Sequence, residues 1–362
     1  VCHAKHLIGV MAGKGDHLVS VSIAERDVNG DGMLVWSYPA TDAELDRAAV
    51  NKSGVLSATS EQQKQGIWFR HASSWIYIYT TQPEDRGSFP LTTALAVSLQ
   101  AKDFDPEKYL RAAEVLSDVY DASGNPVRVL EGFLSILTVG KFHGRVPPAY
   151  DISHYSPAKA LANSHLPELI ATLGDDTVLV WAAVLLKKRL LVYSDQPQLL
   201  LRTMRGLPAL ALHRQDWTIL RPLCSDDEDF ASLASQGCYC AGTTVPSHDR
   251  SELFDVYVDL PRGTVTVSEA SGSGDMSLTN IHRDVAAFLA QCAETKASNQ
   301  DVIEGVAEKT KQLIGKLAIL AEQEESGKIG LTSLKQQLPN PALAHFLFGA
   351  ALAEGLAATA DE

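Results

Sequence analysis

The chain has 362 residues, room for two or three ordinary domains, and its make-up of 45% apolar and 21% charged residues is that of a folded globular protein. With 44 acidic against 31 basic residues the net charge is −13, which excludes a general polyanion binder, because nucleic acid selects a basic footprint. The apolar run Val178–Leu186 is nine residues long, far short of the roughly 20 that a membrane-spanning helix needs.

The segment VCHAKHLIGVMAGKGD carries no long apolar core with a small-residue cleavage pattern, so no secretory signal is expected. From His17 to Glu25 the residues alternate as in a strand, and DVNGDG (Asp27–Gly32) is a turn rich in residues that tolerate positive φ. Met33–Tyr38 reads as a second strand stopped by Pro39. TDAELDRAAV from Thr41 reads as a short helix with a Thr or Asp cap, Glu44 being placed three residues after Thr41 for a capping box. Trp68–His71 and Trp75–Thr80 read as an aromatic, β-branched hairpin, and Leu91–Leu99 as a fifth strand. Asp105 and Pro106 open a helix that Gly124 ends, and Pro126 starts another. The order ββαβββαα predicts a five-stranded antiparallel sheet with three helices over residues 1–140.

Residues 141–160 lose periodicity from Lys141 to Tyr155, and HGRVPPAYDISHYSP holds three prolines, as a link between lobes would. Beyond them the pattern alternates. Leu190–Tyr193 reads as a strand, Pro197–Leu212 as a helix and DWTIL from Asp216 as a strand. A short helix near Asp229–Ser235 and a strand at Cys238–Thr243 follow. A hairpin of Leu253–Leu260 with Thr264–Ser268 completes a mainly parallel sheet over residues 161–270. SEASGSGDMS (Ser268–Ser277) reads as a flexible connector, and residues 271–362 are otherwise helical. The fold class is α/β.

In VLVWAAVLLKKRLLVYSDQ, Val178–Leu186 is apolar on every side, as in a helix buried all round. Lys187, Lys188 and Arg189 would then meet the last carbonyls and the negative end of its dipole, each contributing about 0.3–1 kcal/mol, before a buried strand begins.

Motifs with chemical overtones are weak. GVMAGKG (Gly9–Gly15) has three residues between its first glycines where a phosphate-binding loop has four, and Gly15 where a magnesium-binding hydroxyl belongs. NGDG lacks the surrounding acids of a calcium loop. His213–Trp217 sets His, Arg and Asp close together, but no nucleophile elbow accompanies them. Cysteines 2, 224, 238, 240 and 292 form neither a disulfide framework nor a metal set, as expected of reduced, packed thiols. No covalent catalysis, cofactor or metal is expected.

Three stretches carry a resemblance. LQAKDFDPEKY (Leu99–Tyr109), LLKKRLLVY (Leu185–Tyr193) and LPALALHRQDWTIL (Leu207–Leu220) are similar to the corresponding stretches of DENN-domain proteins, and VWSYP and LFDVYVDL fit the same pattern. The resemblance implies an N-terminal longin lobe, an α/β lobe and trailing helices. It also implies guanine-nucleotide exchange on a Rab GTPase at late endosomes, while the acidic charge and the lack of a lipidation motif point to a cytoplasmic protein held there through protein partners rather than by membrane insertion. An exchange factor needs no nucleophile, because it works by binding the nucleotide-free GTPase more tightly than the loaded one. The contact residues expected are Lys102, Asp103, Arg214, Gln215 and Asp216, polar groups where loops gather at sheet ends. A second expectation is a non-catalytic scaffold in an endosomal recycling complex with coiled-coil subunits, contacted through Trp36 and Tyr38. These two aromatics lie on one face of an early strand and could instead pack beneath a helix. A third, GTPase activation by an arginine finger, has Arg86 as its one candidate.

Overall fold

The computed structural model describes residues 17–57, 64–84, 87, 89–143, 149–214, 216–268 and 274–358. The chain divides into two compact units, Val1–Ala160 and Leu161–Glu362.

In the first unit, strands β1 (Leu18–Asp27), β2 (Gly32–Tyr38), β3 (Lys64–His71), β4 (Ser74–Thr81) and β5 (Thr92–Ala101) form one antiparallel sheet in the order β2-β1-β5-β4-β3. Its central strand, β5, is apolar on both faces and almost wholly buried. Helices α1 (Ala43–Lys52), α2 (Pro106–Ser123) and α3 (Pro126–Val139) complete the expected order. Asp42, Asp105 and Asn125 each accept a hydrogen bond from a first-turn backbone N–H, and Gly124 and Gly140 close α2 and α3 in the left-handed region. Strand β2 is bulged: Ile23 pairs with Trp36 and Ala24 with Leu34, leaving Val35 as the extra residue. Where the sequence showed only a link, a two-residue ladder joins β6 (Lys141–Phe142) to β7 (Tyr150–Asp151).

The second unit is built on the sheet β12-β11-β8-β10-β9: β8 (Arg189–Tyr193), β9 (Leu220–Cys224), β10 (Tyr239–Thr243), β11 (Val256–Asp259) and β12 (Thr264–Val267). All neighbours run parallel except the hairpin partner β12. Helices α5 (Thr177–Leu185) and α6 (Pro197–Gly206) pack on it, and the unit also holds α4 (Leu166–Leu173), α7 (Asp227–Ala234) and the trailing helices α8 (Asn280–Thr295), α9 (Asn299–Gln323), α10 (Leu331–Gln337) and α11 (Pro341–Ala353). The α/β class expected from the sequence is the class observed.

Three local readings need correction. The helix from Pro197 is α-helical only to Gly206, and Leu207–Ala211 tighten into a 3-10 turn around Pro208. The strand expected at Asp216 starts at Leu220, because Asp216 caps a 3-10 turn over Trp217–Ile219. The cations after α5 do not serve its dipole. The helix stops at Leu185, Lys187 turns the chain at φ 52°, and Lys188 pairs with Asp275 at 2.7 Å. Arg189 is the first residue of β8 and grips Asp255 through Nη2 (2.8 Å) and its own backbone N–H (2.9 Å). The side chain that meets the α5 carbonyls is that of Arg214, whose guanidinium donates to Val184 O at 3.0 Å and to Leu185 O, alongside the backbone N–H groups of Lys187 and Lys188 on Val184 O and Ala183 O.

Candidate functional site

The expected contact residues fall in two loops, one in each unit. The first follows β5. Lys102 donates its backbone N–H to His17 O at 2.8 Å and leaves its side chain exposed. The next residues are fixed from below by the aromatic faces of β4 and α2. Tyr77 donates its hydroxyl to Asp103 O at 3.1 Å and accepts the Asp105 N–H at 3.0 Å. The Asp103 carboxylate accepts from Tyr109 Oη and lies 3.5 Å from Lys108 Nζ, and Asp105 caps α2 by accepting the Lys108 N–H at 3.1 Å. Burial, then the Asp103 charge beside it, pushes the Tyr109 phenol far above its ordinary range, so it stays a donor. Asp103 is therefore an internal anchor. Lys102 is the group that this loop presents outward.

The second loop follows the 3-10 turn at Leu207–Ala211. Besides capping α5, Arg214 donates from Nε to Glu354 Oε1 at 2.9 Å, and His213 Nε2 lies 3.0 Å from the same oxygen. Burial opposes the Glu354 charge, but the bonds from His213 and Arg214 outweigh it and hold the carboxyl down at about 2. Asp216 accepts the Thr218 N–H at 2.9 Å. In this loop Arg214 is thus committed to internal structure and Asp216, though exposed, to its own turn, and Gln215 lies outside the described residues. The cleft between Lys187, Pro208, Arg214 and Ile219 holds roughly 20 Å³ of water-accessible space, no more than a single water would need. A wider, open depression of about 600 Å³ lies along Lys335–Pro341 and His345.

Trp36 and Tyr38 do share a face. Their partners on β1 are Ile23 and Val21, and Met33, opposite Glu25, joins them on that side. Trp36 is half-buried, whereas Tyr38 is 42% exposed while its ring stands edge-on to Phe133 of α3, 6.5 Å between centroids. Arg86 and the Gly9–Gly15 segment lie outside the described residues. Among the described residues no cluster of His, Cys, Asp and Glu could hold a metal, no helix is long and apolar enough to cross a membrane, and none of the four cysteines is in a disulfide.

Two of these ties had no local signal. Glu354 is 140 positions from Arg214 along the chain, and the Tyr77 bond to the Asp103 loop joins separate elements. The Asp105–Pro106 cap, in contrast, was legible in the sequence.

No protein-family model matches the chain. Its relatives nevertheless span nearly all of it, and by them the chain belongs to the DENN-domain family. It is 34% identical over 342 residues to the zebrafish (Danio rerio) protein named DENN domain-containing protein 10, covering 94% of this chain and 97% of the relative. The protein of the same name from Dictyostelium discoideum is 33% identical, with 93% and 97% covered, and the human one 30%, with 93% and 96% covered.

Proposed function

We propose that this chain regulates a Rab GTPase of the late-endosomal or secretory type, acting as a guanine-nucleotide exchange factor that stabilises the nucleotide-free state. The observation that carries the reading is the end-to-end similarity to proteins named for a DENN domain. In this reading residues 1–140 are a longin-like lobe, 141–160 the interlobe link, 161–270 the α/β core of the DENN lobe and 271–362 its helical part. Exchange requires differential affinity rather than a reactive group. The Lys102 loop supports such a role: it exposes a cation on a backbone held rigid by Tyr77 and Tyr109, so little ordering is left to do on binding. The protein would work in the cytoplasm, held on endosomes by protein partners and without nucleic acid.

The test is capture by a panel of nucleotide-free Rab GTPases, then release of a fluorescent guanine nucleotide from each one captured. A Lys102→Glu protein should slow release by about tenfold or more, the effect of about 1.4 kcal/mol lost from the complex, with its own unfolding transition unchanged. If no Rab prefers this chain when empty, exchange is refuted. If release is unaffected by Lys102→Glu, the loop is not a contact.

A second reading, a non-catalytic subunit of an endosomal recycling complex with coiled-coil proteins, is favoured by the exposed ring of Tyr38 beside half-buried Trp36. A Trp36→Asp protein should stay folded by circular dichroism and lose its complex. Aggregation of that variant would instead show Trp36 to be core.

A further inference from the structure

Four described strands form the edges of the two large sheets, and three of them carry charges, a proline or a very short length, which discourage pairing with another chain. β3 bears Lys64, Arg70 and His71; β9 bears Arg221 and Pro222; β12 is only four residues long. β2 has none of these, and only the bulge at Val35 interrupts its edge. Its seven residues, GMLVWSY, include no ionisable carboxylate or amine and no proline, in a chain of net charge −13. No described strand pairs with its outer side. Met33 is 54% exposed and Val35 41%, and the apolar surface continues onto α3. Val127, Leu130 and Leu134 of that helix lie on the sector next to Phe133, the residue that Tyr38 touches.

We infer that β2 is a self-pairing edge, through which two copies of this chain join their five-stranded sheets about a twofold axis. Unpaired main-chain N–H and C=O groups select an extended strand as occupant rather than a helix, because only a strand repeats donors and acceptors at the same spacing. A charged strand would be disfavoured beside this edge, whereas a second β2 brings no charge. Antiparallel pairing is also isologous, each copy offering the other the same patch. An axis near Val35 sets Tyr38 of one copy beside Met33 of the other, extending the aromatic and apolar cross-strand contacts that stabilise a sheet. The bulge at Val35 breaks the ladder into short halves, so the pair is weak, with a dissociation constant of about 1–100 μM. The inference shares a strand with the scaffold reading but does not rest on it, since self-association is measured on this chain alone.

The experiment is sedimentation velocity of the full chain from about 1 to about 100 μM, beside Val35→Lys, which places a lysine on an exposed edge position. The native chain should pass from monomer to dimer, and Val35→Lys should weaken association by about tenfold or more. Leu352→Lys, at another exposed apolar residue in the second unit, should leave it unchanged. A native chain that stays monomeric throughout, or a dimer that survives Val35→Lys intact, overturns the inference. Hydrogen exchange on the native chain provides a check that needs no variant. The β2 amides should gain protection as concentration rises, and protection independent of concentration would also overturn it.

Discussion

Arg214 and Lys102 show how differently two exposed-looking cations can be employed. Arg214 answers two carbonyls of α5 and the carboxylate of Glu354, with only 15% of its side chain accessible. Replacing it by Ala leaves a half-buried carboxylate with His213 alone and takes the guanidinium from two helix-end carbonyls, and should destabilise the protein by about 3 kcal/mol in urea unfolding. Lys102→Ala removes no described side-chain bond and should shift the same curve by less than about 0.5 kcal/mol. Sequence reasoning placed both residues correctly in loops but could not rank them. What separates them is a partner 140 residues away, and no periodicity or spacing announces such a partner.

At the level of elements, caps and turns were the legible part. Asp105-Pro106, Asn125-Pro126 and the glycines after α2 and α3 do what their side chains predispose them to do. The sequence erred where a backbone decision depended on tertiary context. The triplet Lys187–Arg189 looked like a dipole cap, yet its members are drawn into a turn, an ion pair with Asp275 and the start of β8. Helix α8 offers a sharper test. Its capping box uses His282 at N3, where Nδ1 receives the Thr279 N–H at 3.2 Å, and the ring is buried against Phe346 and Trp181. Burial lowers the His282 pKa to about 4. The folded chain thus refuses a proton that the unfolded chain accepts from pH 6.5 downward. Stability is therefore full above that value and is lost as pH falls towards about 4. Between pH 7 and pH 5 the loss from this group should be about 2 kcal/mol. His282→Gln keeps a capping-box side chain without the titration, and should flatten that part of the profile in unfolding curves taken at the two pH values.

For the whole molecule, the two sheets were foreseen because their strands signal differently. The first unit alternates and turns tightly, as antiparallel strands do, and the second inserts helices between short apolar runs, as parallel strands require. Helix–sheet order, set by local pattern, was therefore readable, and family membership rests on similarity along nearly the entire length. The candidate surfaces were harder to read. Whether a polar loop residue faces outward depends on what the rest of the chain brings beneath it, as Tyr77 and Tyr109 do beneath Asp103.

The bond between Arg214 and Glu354 also sets an order of events during synthesis. At about 5–20 residues per second, a ribosome needs on the order of ten seconds to add the 140 residues that separate the two. Throughout that interval the guanidinium can reach the carbonyls of α5, but its own charge has no carboxylate beside it. A nascent second unit consequently carries an unbalanced guanidinium at the end of α5 until Glu354 emerges. Premature termination anywhere before Glu354 would leave that charge unbalanced for good.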